Sequence, residues 1–294
     1  MIRLTQIKLP ADHTPEALKK KIAKLLRIAP EEILELHIRK RSLDARKKPE
    51  LFYSYTVDVS ASREKELLHK GKNPQISLCK EEHYHFPEAG EERLRERPLI
   101  IGTGPAGLFC GLMLARHGYR PILLERGSSV EERQKKVNAF WQGGTLDLQT
   151  NVQFGEGGAG TFSDGKLNTL VKDPLKRGQL VLELFTEFGA DPSILYDHKP
   201  HIGTDVLAEV VKAMRQEIIR LGGTVRFDTQ VTDLLVEQQN VSGVKVSFAD
   251  SQTGVQTEET IKSSIVVLAI GHSARDTFSM LLSRQVPMEE KAFA

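Results

Sequence analysis

Residues 98–125 read PLIIGTGPAGLFCGLMLARHGYRPILLE. A short apolar run, Leu99 to Ile101, meets glycines at Gly102, Gly104 and Gly107. A small-residue stretch follows, broken at Gly118, and a second apolar run, Ile122 to Leu124, ends on Glu125. Strand, glycine turn, helix and strand in this order form a βαβ unit of the kind that holds a dinucleotide. Gly102 permits a tight exit from the strand, Gly104 lets backbone approach a diphosphate, and Gly107 lets the helix pack close to the sheet. Thr103, Pro105 and Ala106 complete the turn and open the helix. Its first amides carry about half a positive charge and bind phosphate without Lys or Arg. Glu125, eighteen residues past the third glycine, is spaced to accept hydrogen bonds from ribose hydroxyls. Its charge disfavours a 2′-phosphate, which leaves NAD or FAD. The uncharged stretch Leu99 to Ala115 is at the short limit for a membrane span, and glycines and Pro105 interrupt it, so it is excluded as one.

The chain does not continue with further βα repeats. Glu125-Arg126-Gly127 leads into a charged helical stretch near 129–140, then into a glycine-dense loop, GEGGAGTFSDGK, at Gly155 to Lys166. Gly155, Gly157 and Gly160 repeat the glycine spacing, but no clean apolar strand precedes them. Gly160 to Lys166 imitates a nucleotide phosphate loop, yet Leu167 stands where Ser or Thr must hold magnesium. Amphipathic patterning predicts helices near 177–188 and 205–221, around a compact polar segment, Tyr196 to Thr204. Residues 224–248 alternate with the two-residue period of strands, an apolar strand Ile265 to Ile270 runs into Gly271, and a helix is expected over 274–284.

This order of elements resembles the FAD-binding domain of the glutathione-reductase-type flavoproteins. More narrowly, it is similar to the uncharacterised FAD-dependent dehydrogenases that carry a small extra domain ahead of that fold. The resemblance implies that Gly102 to Gly107 and Glu125 bind the ADP moiety and that Arg126 flanks the adenosine. It places Gly160, Thr161, Ser163 and Lys166 beside the flavin; at the pyrimidine edge Lys166 would stabilise the reduced anion, the alternative being a surface lysine at a helix start. Val231 would reach adenine through its backbone, and Ala269 to Gly271 would lie by the diphosphate. The implied activity is an oxidoreductase that passes a hydride or electron pair between a small-molecule substrate and FAD, with NAD(P)H a candidate donor. In the family layout Tyr196 to Thr204 is the substrate-side insertion, which would turn His201 or Lys199 toward a substrate, against the alternative of a loop packed by its own hydrogen bonds. His272, just after Gly271, is expected by the diphosphate or the flavin. Relatives of this type continue to a late Gly-Asp motif, whereas this sequence stops at EEKAFA, so the resemblance implies a missing C-terminal part.

Disulfide-reducing relatives carry paired cysteines in the second loop; here Thr161 to Lys166 has none, and the chain's two cysteines, Cys79 and Cys110, are far apart. Dithiol chemistry is therefore not expected. His198 and His201 lack the carboxylate or thiolate that would complete a metal set, so no metal is expected. His83 and His85 share one strand face by parity, with a half-buried or surface place as the expectation.

At 294 residues, with 39% hydrophobic and 27% charged content, the chain is ordinary for a soluble protein of two or more domains. Its N-terminus lacks the apolar core of a signal peptide, and unpaired cysteines suit a reducing compartment, so a cytoplasmic, membrane-free setting is expected. The charged stretch EAGEERLRERP (88–98) reads as a linker. Ahead of it the pattern predicts strand 2–9, a helix from Pro15 to about Arg27 with Thr14 as N-cap, and strands Leu34 to Arg41 and Leu51 to Val59 around a turn Asp44 to Pro49. A helix near 62–69 and a strand near 75–79 complete a β-α-β-β-α-β order, suggesting a ferredoxin-like domain. The expected fold class is α/β: a Rossmann-like FAD-binding domain with a β-meander, behind a small α+β domain. The expected divisions are 1–94 as that small domain, 95–170 as the first half of the FAD domain, 171–222 as a helical substrate-side insertion, and 223–294 as meander and return strand. The first 95 residues carry net +5 and the remainder −3. Basic clusters at Lys19 to Lys21 and Arg39 to Arg41, with aromatics Phe52, Tyr53 and Tyr55, raise nucleic-acid binding as an alternative, against a solvated charged face. Two rival readings stand beside the enzyme: a non-catalytic or truncated FAD/NAD-binding protein, and an RNA-linked flavoprotein.

Overall fold

In β1 (Ile2–Pro10), Ile2, Leu4, Ile7 and Leu9 all reach the core, although their spacing changes parity between Leu4 and Ile7. A bulge there, with Gln6 at φ 57°, returns the side chains to one face. The computed structural model describes residues 1–292 except 63, 70–72, 81, 164, 168, 170 and 250–252. α1 (Pro15–Leu26) follows; Thr14 holds the N-cap place in extended conformation, but its side chain makes no capping hydrogen bond. β2 (Ile33–Lys47) and β3 (Glu50–Ala61) run longer than their apolar stretches, so the expected turn Asp44 to Pro49 is strand as far as Lys47. Cross-strand pairing, which propensity does not register, extends them. α2 (Glu64–His69) and β4 (Ile76–Leu78) complete an antiparallel sheet in the order β2-β3-β1-β4. Leu18, Ile22 and Leu26 of α1 and Leu67 of α2 pack with the apolar side chains of that sheet. Each such burial contributes roughly 1.5–3 kcal/mol.

Residues 88–98 carry no helix or strand. Beyond them come β5 (Leu99–Ile101), α3 (Pro105–Arg116), β6 (Ile122–Leu124), α4 (Val130–Trp141), α5 (Arg177–Glu187) and α6 (Thr204–Arg220). β7 (Thr224–Arg226), β8 (Thr229–Glu237), β9 (Asn240–Ala249), β10 (Gln256–Lys262), β11 (Val266–Leu268) and α7 (Arg275–Ser283) close the described order. A parallel sheet runs β11-β5-β6-β7, and a separate antiparallel sheet runs β10-β9-β8. The first residues of the expected meander, 224–226, thus belong to the parallel sheet. β10, largely exposed and polar along QTEETIK, gave no alternation to read. Leu99, Ile101 and Leu124 form one core with Val231, Leu234, Val244, Val246 and Leu281. The fold is mixed α/β, and no helix among the described residues is long and apolar enough to cross a membrane.

The chain divides into two compact units, Met1–Pro87 with Lys166–Ile202, and Glu88–Gly165 with Gly203–Ala294. This differs from a contiguous insertion at 171–222: α5 goes with the first unit and α6 with the second. Within the first unit, Arg41 is the fastening. Its amide donates to the Tyr196 carbonyl at 2.7 Å, its carbonyl accepts from the His198 amide at 3.0 Å, and its guanidinium grips Asp197 at 2.6 and 2.8 Å. The rings of Tyr53 and Tyr196 lie 5.3 and 5.1 Å from the same guanidinium. The segment thus pairs, strand-like, with the edge of β2.

Candidate functional site

Gly102 leaves β5 at φ 97°, and a Cβ there would lie 2.5 Å from the Ala269 carbonyl oxygen, so only glycine fits between strand and return loop. Gly104 is the N-cap of α3 and offers no side-chain cap, which leaves the opening amides of the helix uncapped by it. A Cβ on Gly107 would sit 1.9 Å from the Gly102 carbonyl oxygen: helix and turn touch backbone to backbone.

These elements open onto a cleft of about 580 Å³. Its walls come from the first glycine turn, from Gln153 to Gly155 with Gly158 and Ala159, from Thr229 and Val231, and from residues 268–274 with Thr277, Phe278 and Leu281. A larger cavity, about 900 Å³, lies within the first unit and contains none of the glycine-motif residues. The chemistry of the motif selects the smaller one.

Glu125 is 5% exposed, and its carboxylate accepts four hydrogen bonds. Oε2 takes the Thr103 amide at 2.8 Å and hydroxyl at 3.0 Å; Oε1 takes the amides of Gly127 and Gly155, each at 3.0 Å. One side chain therefore ties the first glycine turn to the second loop, and its lone pairs are occupied. Next to it, Arg126 lies 4.5 Å above the Phe154 ring and donates to both oxygens of Asp276, at 3.0 and 2.9 Å. Burial pushes the Asp276 carboxyl up, but Arg126, the Thr277 amide and Gln230 outweigh it and hold it below the usual range.

Glu156 is fully buried. Its Oε2 accepts from the Val130 amide at 2.8 Å, at the start of α4. Its Oε1 lies 3.2 Å from Arg215 Nε, close enough for an ion pair but misaligned for a hydrogen bond. Arg215 is aligned instead on Glu131, at 2.7 and 2.9 Å. Burial pushes the Glu156 carboxyl up to about 7, against the pull of the Val130 amide and of Arg215.

Of the residues expected from the sequence, Gly102, Gly104, Pro105, Ala106, Glu125, Arg126, Val231, Ala269 and Gly271 line the cleft. Thr103 and Gly107 are buried and are not among its lining residues. Gly160, Thr161 and Ser163 are not among its lining residues: the Thr161 hydroxyl donates to Gly158 at 3.0 Å and that of Ser163 to Gly160 at 2.9 Å, both turned into the loop's own 3₁₀ turn. Lys166 belongs to the first unit, bridged to His201, and Asp164 of the same loop lies outside the described residues. Lys199 and His198 border a small cavity beside Arg41 in that unit. His272 does reach the cleft wall. Sequence reasoning missed Gln153, Phe154, Thr229 and Phe278, whose only signal was proximity to motif residues.

Comparison with known proteins follows this geometry. Residues 97–278 match the family described as FAD binding domain. The chain belongs to that family. FAD is its cofactor. Residues 1–60 match a domain of unknown function, DUF8436. An uncharacterized protein of Clostridium beijerinckii is 43% identical over 293 residues, which is 100% of this chain and 53% of that protein. A thiamine thiazole synthase of Thermococcus kodakarensis is 25% identical over 202 residues, covering 66% of each chain. The crystal structure of Thermovibrio ammonificans THI4 superposes with a TM-score of 0.43 at 18% identity, over 65% of this chain and 63% of that one. The chain thus spans about half the length of its Clostridium relative.

Proposed function

We propose that this chain is the cofactor-binding part of an FAD-dependent oxidoreductase of the glutathione-reductase type, passing a hydride or electron pair between a small-molecule substrate and FAD. The observation that carries this reading is the single cleft shared by the Gly102–Gly107 turn, Glu125 and the 269–271 return. The residues fit the group. Gly104 and Gly158 face one another with no side chain between them, and a Cβ on Gly104 would lie 3.9 Å from the Gly158 Cα. Uncapped amides at the start of α3 suit a diphosphate. Val231, Phe154 and Phe278 offer apolar surface to planar rings. Bound FAD supplies the redox chemistry; the protein binds it, orients it and excludes water.

Glu125 would hold the ribose end only by exchanging one of its present donors, and the Thr103 hydroxyl is the one that can rotate away. A dithiol is not part of the proposal, because Cys79 and Cys110 lie in different units and burial pushes both thiols up. The order β2-β3-β1-β4, with both helices feeding one core, supports a ferredoxin-like first domain. Arg39 and Arg41, part of the case for nucleic acid, are paired with Asp58 and Asp197, and the nearby Arg46 with Asp44. Two free cysteines support a reducing, cytoplasmic setting.

The test is the absorption spectrum of the purified chain after FAD loading, followed by anaerobic NADH. Flavin bands that bleach on donor addition are expected. A folded protein that stays colourless and gives no calorimetric heat with FAD or NAD refutes the reading.

A further inference from the structure

Arg133 stands among Glu131, Glu132, Lys135 and Lys136 on α4, yet it is fully buried. Its guanidinium donates from Nε to Asn151 O at 2.9 Å and from Nη2 to Val152 O at 3.0 Å. Nη1 donates to Glu156 O at 2.6 Å, Gly158 O at 2.8 Å and Thr161 Oγ1 at 3.2 Å. All five acceptors are neutral; three belong to the second glycine loop and two, Asn151 and Val152, to the segment that leads into it. The Phe162 ring lies 4.8 Å from the guanidinium, and Trp141 meets that ring edge-on at 5.8 Å. Gly155, at φ 118°, has no room for a Cβ, which would fall 2.5 Å from Arg133 Cδ. The loop is therefore folded around this side chain.

The other side of the same loop is cleft wall, formed by Gln153 to Gly155, Gly158 and Ala159. Two amides bind it to the first glycine turn: Gly157 donates to Thr103 O at 2.9 Å, and Gly155 donates to Glu125 at 3.0 Å. Burial pushes the guanidinium down to about 10, against the pull of Glu125 and Glu156, so it keeps its proton near neutral pH. A buried cation is costly unless it is hydrogen-bonded, and here four backbone carbonyls and the Thr161 hydroxyl accept from all three guanidinium nitrogens.

We infer that Arg133 is a positioning residue for the cofactor: its five-donor fork sets the backbone of residues 151–161 at the spacing from the first glycine turn that FAD requires. This rests on the reading of the cleft as the FAD site. Lysine keeps the charge but concentrates its donors at one point and cannot span the five acceptors.

The experiment titrates FAD into the full wild-type chain and into R133K, R133M and T161V, following flavin absorbance and fluorescence, with the thermal midpoint of each FAD-free protein recorded alongside. R133M and R133K are expected to bind FAD at least tenfold more weakly than wild type. T161V, which at conserved volume removes one acceptor of Arg133 together with that hydroxyl's own bond to Gly158 O, should bind about threefold more weakly. It carries the test if the arginine variants fail to fold. Folded R133K or T161V with wild-type affinity overturns the inference alone, as does a lowered FAD-free midpoint with unchanged affinity, the mark of a purely structural arginine. A wild-type chain that takes up no FAD overturns the cleft assignment and this inference together.

Discussion

Glu125 is a strut between two loops. Its four donors converge on one buried carboxylate, so Glu125→Gln turns an amide NH₂ toward at least one backbone amide that can only donate. The variant should lose about 3 kcal/mol of stability in the absence of FAD, read by urea unfolding. An unchanged midpoint would show that the strut is dispensable. Glu156 makes a prediction of the opposite kind. Its folded carboxyl is raised to about 7, above the ordinary 4.5, chiefly by burial. The stability it contributes is therefore complete below pH 4.5 and is lost as pH rises through 7, by about 3 kcal/mol in all. Thermal midpoints from pH 5 to 8 should fall for wild type more steeply than for Glu156→Gln, whose amide stays neutral. Parallel curves would refute the assignment.

The two glycines of α3 differ in what they touch. A Cβ at Gly107 meets a backbone oxygen at 1.9 Å, whereas one at Gly111 meets the Leu123 Cδ2 methyl at 2.8 Å. Backbone cannot rotate away, but a leucine can. Gly107→Ala should therefore cost more than about 3 kcal/mol and abolish FAD uptake, while Gly111→Ala costs about 1 kcal/mol and binds normally. Equal effects in paired melts and FAD titrations would sink the argument. The contrast also shows where the sequence is readable. β5, α3 and β6 were legible because an apolar run, a glycine turn and a small-residue helix are local signals. β10 was not, because an exposed edge strand needs no apolar face. Arg133 was hidden for a related reason: in the string EERQKK a buried arginine reads like one more solvated charge, and only the distant carbonyls of 151–158 distinguish it. The resemblance places Thr161 and Ser163 beside the flavin; in the structure a 3₁₀ turn folds their hydroxyls back onto their own loop, which no local pattern reports.

For the whole molecule, the division into units could not be seen from composition. The second unit begins at Glu88, and 166–202 rejoins the first unit through pairings such as Arg41 with Asp197, 156 positions apart. No local pattern reports a contact of that range. Arg41→Ala should free the segment at a cost of about 2 kcal/mol, since a bidentate pair and two ring contacts go together. Limited trypsinolysis with mass-spectrometric mapping should then show cleavage within 166–202 accelerated several-fold. A cutting pattern identical to wild type would mean that the fastening lies elsewhere.

That fastening imposes a schedule on biosynthesis. When β2 leaves the ribosome, its outer hydrogen-bonding edge has to wait for a partner 156 codons downstream, a delay of roughly 8–30 s at ordinary elongation rates. Throughout that interval the nascent chain presents an open strand edge of the sort that recruits neighbouring polypeptides. The part made first is finished only after the first half of its companion has been translated.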